Sequence, residues 1–118
     1  MKTFENGHKI NFVDDNNVLV GFDNHQPCCE NFGHFLSSKV PTGIPDKLEE
    51  IDADGFNFDT AFFQEVHSDD LDQGGMVVFR LTKGEEEIFL SLYNSQNGYY
   101  SHGFDMTVEG KEIHEGSL

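Results

Sequence analysis

Apolar residues recur at every second position in several short runs of this chain, each bounded by turn-forming residues, and no other feature constrains its fold as strongly. Ile10 and Phe12 alternate with Lys9, Asn11 and Val13; after Asp14-Asp15-Asn16-Asn17 the alternation resumes at Val18, Val20 and Phe22. Two such runs joined by an Asx-rich turn predict a hairpin over 9–23. Met76 to Thr82 forms another run, closed by Lys83-Gly84-Glu85-Glu86, and Ile88, Leu90 and Leu92 then alternate with Phe89, Ser91 and Tyr93. Asn97-Gly98 is a hairpin signal, and Tyr100, His102, Phe104, Met106 and Val108 share one face of the strand expected after it. Large residues on both faces of these strands predict a sheet covered on both sides, at least centrally.

The remaining segments are less regular. Phe32, His34 and Leu36 alternate with Asn31, Gly33 and Phe35, a short strand weakened by its glycine. From 56 to 66 a single strand is expected, with Phe58, Thr60, Phe62, Gln64 and Val66 on one face and Ala61 and Phe63 on the other. Pro41, Gly43 and Pro45 punctuate the centre, and Asp46-Lys47-Leu48-Glu49-Glu50-Ile51 predicts two turns of helix with Pro45 at the first position. The polar tail, 110–118, is expected to fray. The sum is a mainly β domain, with α+β as the variant: about six mostly antiparallel strands in a curved sheet, sandwich or small barrel, with one short helix. A length of 118 residues suits a single domain over 1–118.

Charge narrows the partners. Asp and Glu number 22 against 7 Lys and Arg, a formal net charge of −15. Such a surface repels phosphate backbones and anionic membranes, so neither nucleic acid nor membrane is expected as a partner. No window approaches the ~20 apolar residues of a transmembrane helix. The first residues, Met1-Lys2-Thr3-Phe4-Glu5-Asn6-Gly7, lack the apolar stretch of a signal peptide. The only two cysteines, Cys28 and Cys29, are adjacent, which is no disulfide framework; a reducing, cytoplasmic setting is the simplest expectation.

Candidate chemistry concentrates in His25-Gln26-Pro27-Cys28-Cys29-Glu30, with His34 beyond it. Thiolate and imidazole favour zinc, and a set built from His25, Cys28, Cys29, His34 and His102 (or His67) is the metal reading. On one strand the two thiols would point to opposite faces and could not share an ion; only a turn at Pro27-Cys28-Cys29 would allow it. A thiol lowered by His25 or His34 is opposed by Glu30. The competing reading is a pair of inert buried thiols, with no cofactor. Glu50 to Asp59 imitates a calcium loop, but with Gly55 at the sixth position the twelfth is Ala61 rather than Glu, so an acidic turn is expected.

The His25-Gln26-Pro27-Cys28-Cys29-Glu30 segment and Asn97-Gly98-Tyr99-Tyr100-Ser101 together resemble the His-x-Gln-x-Cys-Cys-Glu and Asn-Gly-Tyr-Tyr-Ser motifs of a domain-of-unknown-function family of small bacterial and phage proteins. The resemblance implies no activity; it implies that the two segments belong to one architecture and lie near one another. The leading functional expectation is a non-enzymatic binding domain acting through its acidic surface or a groove near His25, Cys28, Cys29, Glu30, Tyr99 and Tyr100. The alternatives are a metal- or thiol-dependent site around Cys28-Cys29-Glu30, and an acidic phage or mobile-element protein that binds a basic partner. Free strand edges are also compatible with a homodimer.

Overall fold

The computed structural model describes residues 1–23, 32–66, 75–94 and 103–118. Among them are ten strands and no helix: β1 (Lys2–Asn6), β2 (Lys9–Val13), β3 (Val18–Asp23), β4 (Phe32–Ser37), β5 (Asn57–Phe58), β6 (Gln64–Val66), β7 (Gly75–Lys83), β8 (Glu86–Asn94), β9 (Gly103–Val108) and β10 (Lys111–Ser117). One sheet has the order β1-β2-β3-β9-β10; the other runs β4-β8-β7-β5, with β6 also pairing β7. All pairings are antiparallel. The edges of the two sheets do not close on one another, so the fold is an open sandwich rather than a barrel.

The period-2 pattern sorts the core. Val20, Phe22, Phe104 and Met106 of the first sheet meet Val77, Phe79, Leu81, Leu90 and Leu92 of the second in the main core. The alternate positions of the second sheet, Phe35, Met76, Val78 and Phe89, join Val66 in a second buried cluster on its outer face. Ile44, from the long connection after β4, and Phe62, from the turn between β5 and β6, cover that cluster. This explains why β7 and β8 read as continuous apolar runs: they are buried on both faces.

Two glycines are explained by their cross-strand partners. Gly33 faces Tyr93, and Gly116 faces Phe104. A Cβ on Gly33 would stand 2.8 Å from the Tyr93 hydroxyl, and one on Gly116 would stand 2.9 Å from the Phe104 ring. In both pairs the aromatic ring occupies the space a side chain would fill, restoring to the strand the packing that glycine gives up.

Several expectations are corrected. Among the described residues the strands number ten rather than about six: β1 and β10, both polar and largely exposed, are recruited by tight turns to β2 and β9, and the single strand expected over 56–66 forms two. The tail expected to fray is therefore mostly strand, with a bulge between Glu112 and His114. The helix expected at 46–51 is absent: Asp46 to Glu50 are all exposed and only Ile51 reaches the core, so no buried face offsets the cost of helix nucleation. Glu49 instead accepts hydrogen bonds from Ser38 N at 3.0 Å and Ser38 Oγ at 2.7 Å, pinning the loop to the end of β4. Those bonds hold the Glu49 carboxyl below its usual range. With no helix among the described residues, the α+β variant falls with it.

The strand expected over 56–66 is broken in two. Asp59 N donates to Arg80 O at 2.8 Å, while Asp59 O and Oδ1 accept from Phe62 N at 3.1 Å and Ala61 N at 3.0 Å. This turn reverses the facing of the chain: Phe58 and Phe63 pack in the main core, Phe62 and Val66 in the outer cluster.

Candidate functional site

The two ends of the sandwich differ. One carries the two-residue turns between β7 and β8 and between β9 and β10, and the Asp14–Asn17 turn between β2 and β3. It is knitted tightly: Glu109 N donates to Asn17 O at 3.0 Å, and Phe58 N to Asp14 Oδ2 at 2.8 Å. At the other end, Phe22 pairs with Phe104, and Phe32 with Asn94, which pairs in turn with Gly75. The strand ends that bound residues 24–31, 67–74 and 95–102 thus gather at one end of the molecule. Phe22 and Phe32 stack edge-to-face at 6.2 Å across the sheets, and Asn94 Nδ2 donates to Leu118 O at 3.1 Å.

A cleft of about 280 Å³ opens at this same end, between β6 and β7 on one side and β9 and β10 on the other. Its floor is apolar: Val66, Met76, Val77 and Phe104, all buried. Its rim carries the exposed Glu65 and Glu115. Below it the seam is filled by Phe63, which stacks on His114 at 4.5 Å and 12° and on Phe104 at 5.9 Å. The cleft is below the ~300–1,000 Å³ usual for drug-sized ligands and cofactors, and at ~30 Å³ per water it has room for one large side chain.

The outer face of the first sheet is acidic beside this cleft. Lys9 lies across Gly21 to reach Asp105 Oδ1 at 2.7 Å. Around that pair lies a more open depression that also includes Asp23, Glu112 and Glu115. Desolvation, with Glu115 and Asp105 nearby, raises the Glu112 carboxyl above its usual value, and Lys9 offsets only part of this.

Of the residues proposed from sequence, His25, Cys28, Cys29, Glu30, His67, Tyr99, Tyr100 and His102 lie outside the described residues. His34 is described: it points from β4 toward the seam with β2, its ring edge-on to Phe12 at 5.0 Å. The residue is exposed overall, but partial desolvation of its ring lowers its pKa, with Glu5 pulling partly the other way. The neutral ring is therefore favoured in the folded state, and its contribution to stability is full above pH 6.5 and lost as pH falls through the folded value. Replacing His34 with Gln should flatten the acid side of a stability–pH curve relative to wild type, measured by urea denaturation between pH 7.5 and pH 5. Identical curves would show that the imidazole does not contribute.

Among the described residues no group of three His, Cys, Asp or Glu is arranged to hold a metal ion. The calcium-like segment is built as an acidic turn, Asp52 Oδ1 accepting from Asp54 N at 3.0 Å and Gly55 taking φ +81°. Among the described residues there is no helix long and apolar enough to cross a membrane. Sequence reasoning missed Glu65, Phe104, Glu115 and Gly116 as cleft residues. Half of them fall in the tail, where only the Gly116–Phe104 pairing reveals a role. No family model, no curated protein and no solved structure matches this chain.

Proposed function

We propose that this protein is a non-enzymatic interaction domain that binds a basic partner at the cleft end of the sandwich. The observation that carries the reading is the asymmetry between the ends. Backbone hydrogen bonds close one, whereas the other has a cleft with an apolar floor and a glutamate rim, beside the strand ends that bound 24–31 and 95–102. Rigid strands presenting connections at one end are a common platform for binding. The resemblance of those two segments to paired motifs of one family supports the same location. A net charge of −15 favours a cationic partner and speeds its encounter.

The test is photo-crosslinking in cells from a benzophenone side chain placed at Glu65 or Ser117, with Asn16 at the closed end as the control position. The reading requires a discrete product from positions 65 and 117 that is absent from position 16 and weakens as ionic strength rises. Equal labelling from both ends, or a product indifferent to salt, overturns it.

A further inference from the structure

We propose that the cleft takes an extended basic peptide, which adds to the free edge of β10 and seats one apolar side chain on Phe104 and Met76. The inference rests on the binding reading above and names its occupant. Among the described residues β10 is the last strand of its sheet and pairs only with β9, so its far edge can accept another strand. The bulge at Glu112–His114 disturbs the lower part of that edge; from His114 to Ser117 the register is regular. That regular stretch borders the cleft. A strand laid along it would direct alternate side chains into the cleft and onto the acidic outer face.

Chemistry selects the occupant. At about 280 Å³ the cleft has room for a large apolar side chain, and Glu65 and Glu115 sit on its rim. The neighbours of the inserted side chain would point toward Glu112 and Glu115, where among the described residues Lys9 is the one cation and already pairs with Asp105. Lysine or arginine at those positions would place a cation beside these carboxylates. An anionic ligand would add to the repulsion. A second copy of the chain would bring another −15 against the same rim, so the edge is not suited to self-pairing.

The probe is a synthetic seven-residue peptide, alternating lysine and threonine with leucine at the centre, titrated into isotopically labelled protein. Amide shifts should concentrate at 64–66, 103–104 and 114–118. Substituting the leucine with glycine, methylating the backbone nitrogens of alternate residues, or combining Glu65→Lys with Glu115→Lys should each weaken binding at least tenfold. No binding, shifts spread over the acidic surface, or affinity for the glycine or N-methyl peptide unchanged from the parent peptide overturns the inference. If the peptide fails while crosslinking from 65 and 117 persists, the binding reading stands and only this occupant is wrong.

Discussion

Replacing Asp14 with Ala should lower the unfolding free energy by about 3–5 kcal/mol, against the roughly 5–15 kcal/mol that domains of this size possess. The residue is 7% exposed and its carboxylate accepts three backbone N–H groups: Oδ1 from Asn16 at 2.8 Å and Val18 at 2.9 Å, Oδ2 from Phe58 at 2.8 Å. The first two shape the turn between β2 and β3, in which Asn17 takes φ 62°. The third ties that turn to β5 in the opposite sheet. Each charge-assisted bond is worth about 1.5–3 kcal/mol, but the Asn16 donor is only part-buried and water can replace its partner, which holds the total below the simple sum. Asp14→Asn should fall between wild type and Asp14→Ala. An amide retains one acceptor oxygen and turns its NH2 toward the N–H groups the other oxygen served. Urea denaturation gives the ranking, and hydrogen exchange at Phe58 reports the inter-sheet bond separately. An alanine variant within 1 kcal/mol of wild type would show that the turn holds without its carboxylate.

Asp14 also shows what was legible in the sequence. Its turn chemistry was visible as Asp14-Asp15-Asn16-Asn17, and the hairpin it closes was expected with β2 and β3 on either side. Its bond to Phe58 was not, because nothing local signals a contact 44 residues away. The same division holds elsewhere. Where both faces are buried, as in β7 and β8, the apolar residues announce the strand. Where neither face is buried, as in β1 and β10, alternation carries no apolar signal and a strand reads as coil. The 56–66 segment misled for the opposite reason: Phe58, Phe62 and Val66 keep even spacing, but the Asp59 turn sends Phe58 to one core and Phe62 to another. For the helix expected at 46–51, local propensity lacked a buried face to act on. The cleft was hidden because it is formed by β6 and β7 of one sheet and β9 and β10 of the other, which meet only through the sandwich. His34, the one proposed ligand that is described, faces Phe12 on β2, while the cleft lies along β10 at the other edge of that sheet.

Deleting 111–118 should therefore be severely destabilising, by about 5 kcal/mol, where removal of a frayed tail would change stability by less than about 0.5 kcal/mol. The ladder to β9 does not supply most of this difference. Its hydrogen bonds, near 1 kcal/mol each, are largely offset by the backbone entropy that seven strand residues regain when released. What remains is apolar surface. Phe104, 6% exposed, is covered by Gly116; Phe63 is covered by the His114 ring; Leu118 packs against the main core. Uncovering roughly 200 Å² in all, at ~25 cal/mol per Å², gives the 5 kcal/mol. Deletion also removes the Leu118 carbonyl that Asn94 Nδ2 bonds, leaving a fully buried amide without that partner. It further turns β9 into an exposed edge, so the truncated protein should aggregate as well as unfold at lower urea. Should the deletion prove insoluble, His114→Ala and Gly116→Val separate the contributions. The first removes the stack on Phe63 and should cost about 1 kcal/mol. The second drives a side chain into the Phe104 ring and should cost about 1–3 kcal/mol. A deletion variant with wild-type denaturation would mean that β10 adds nothing to the packing of Phe104 and Phe63.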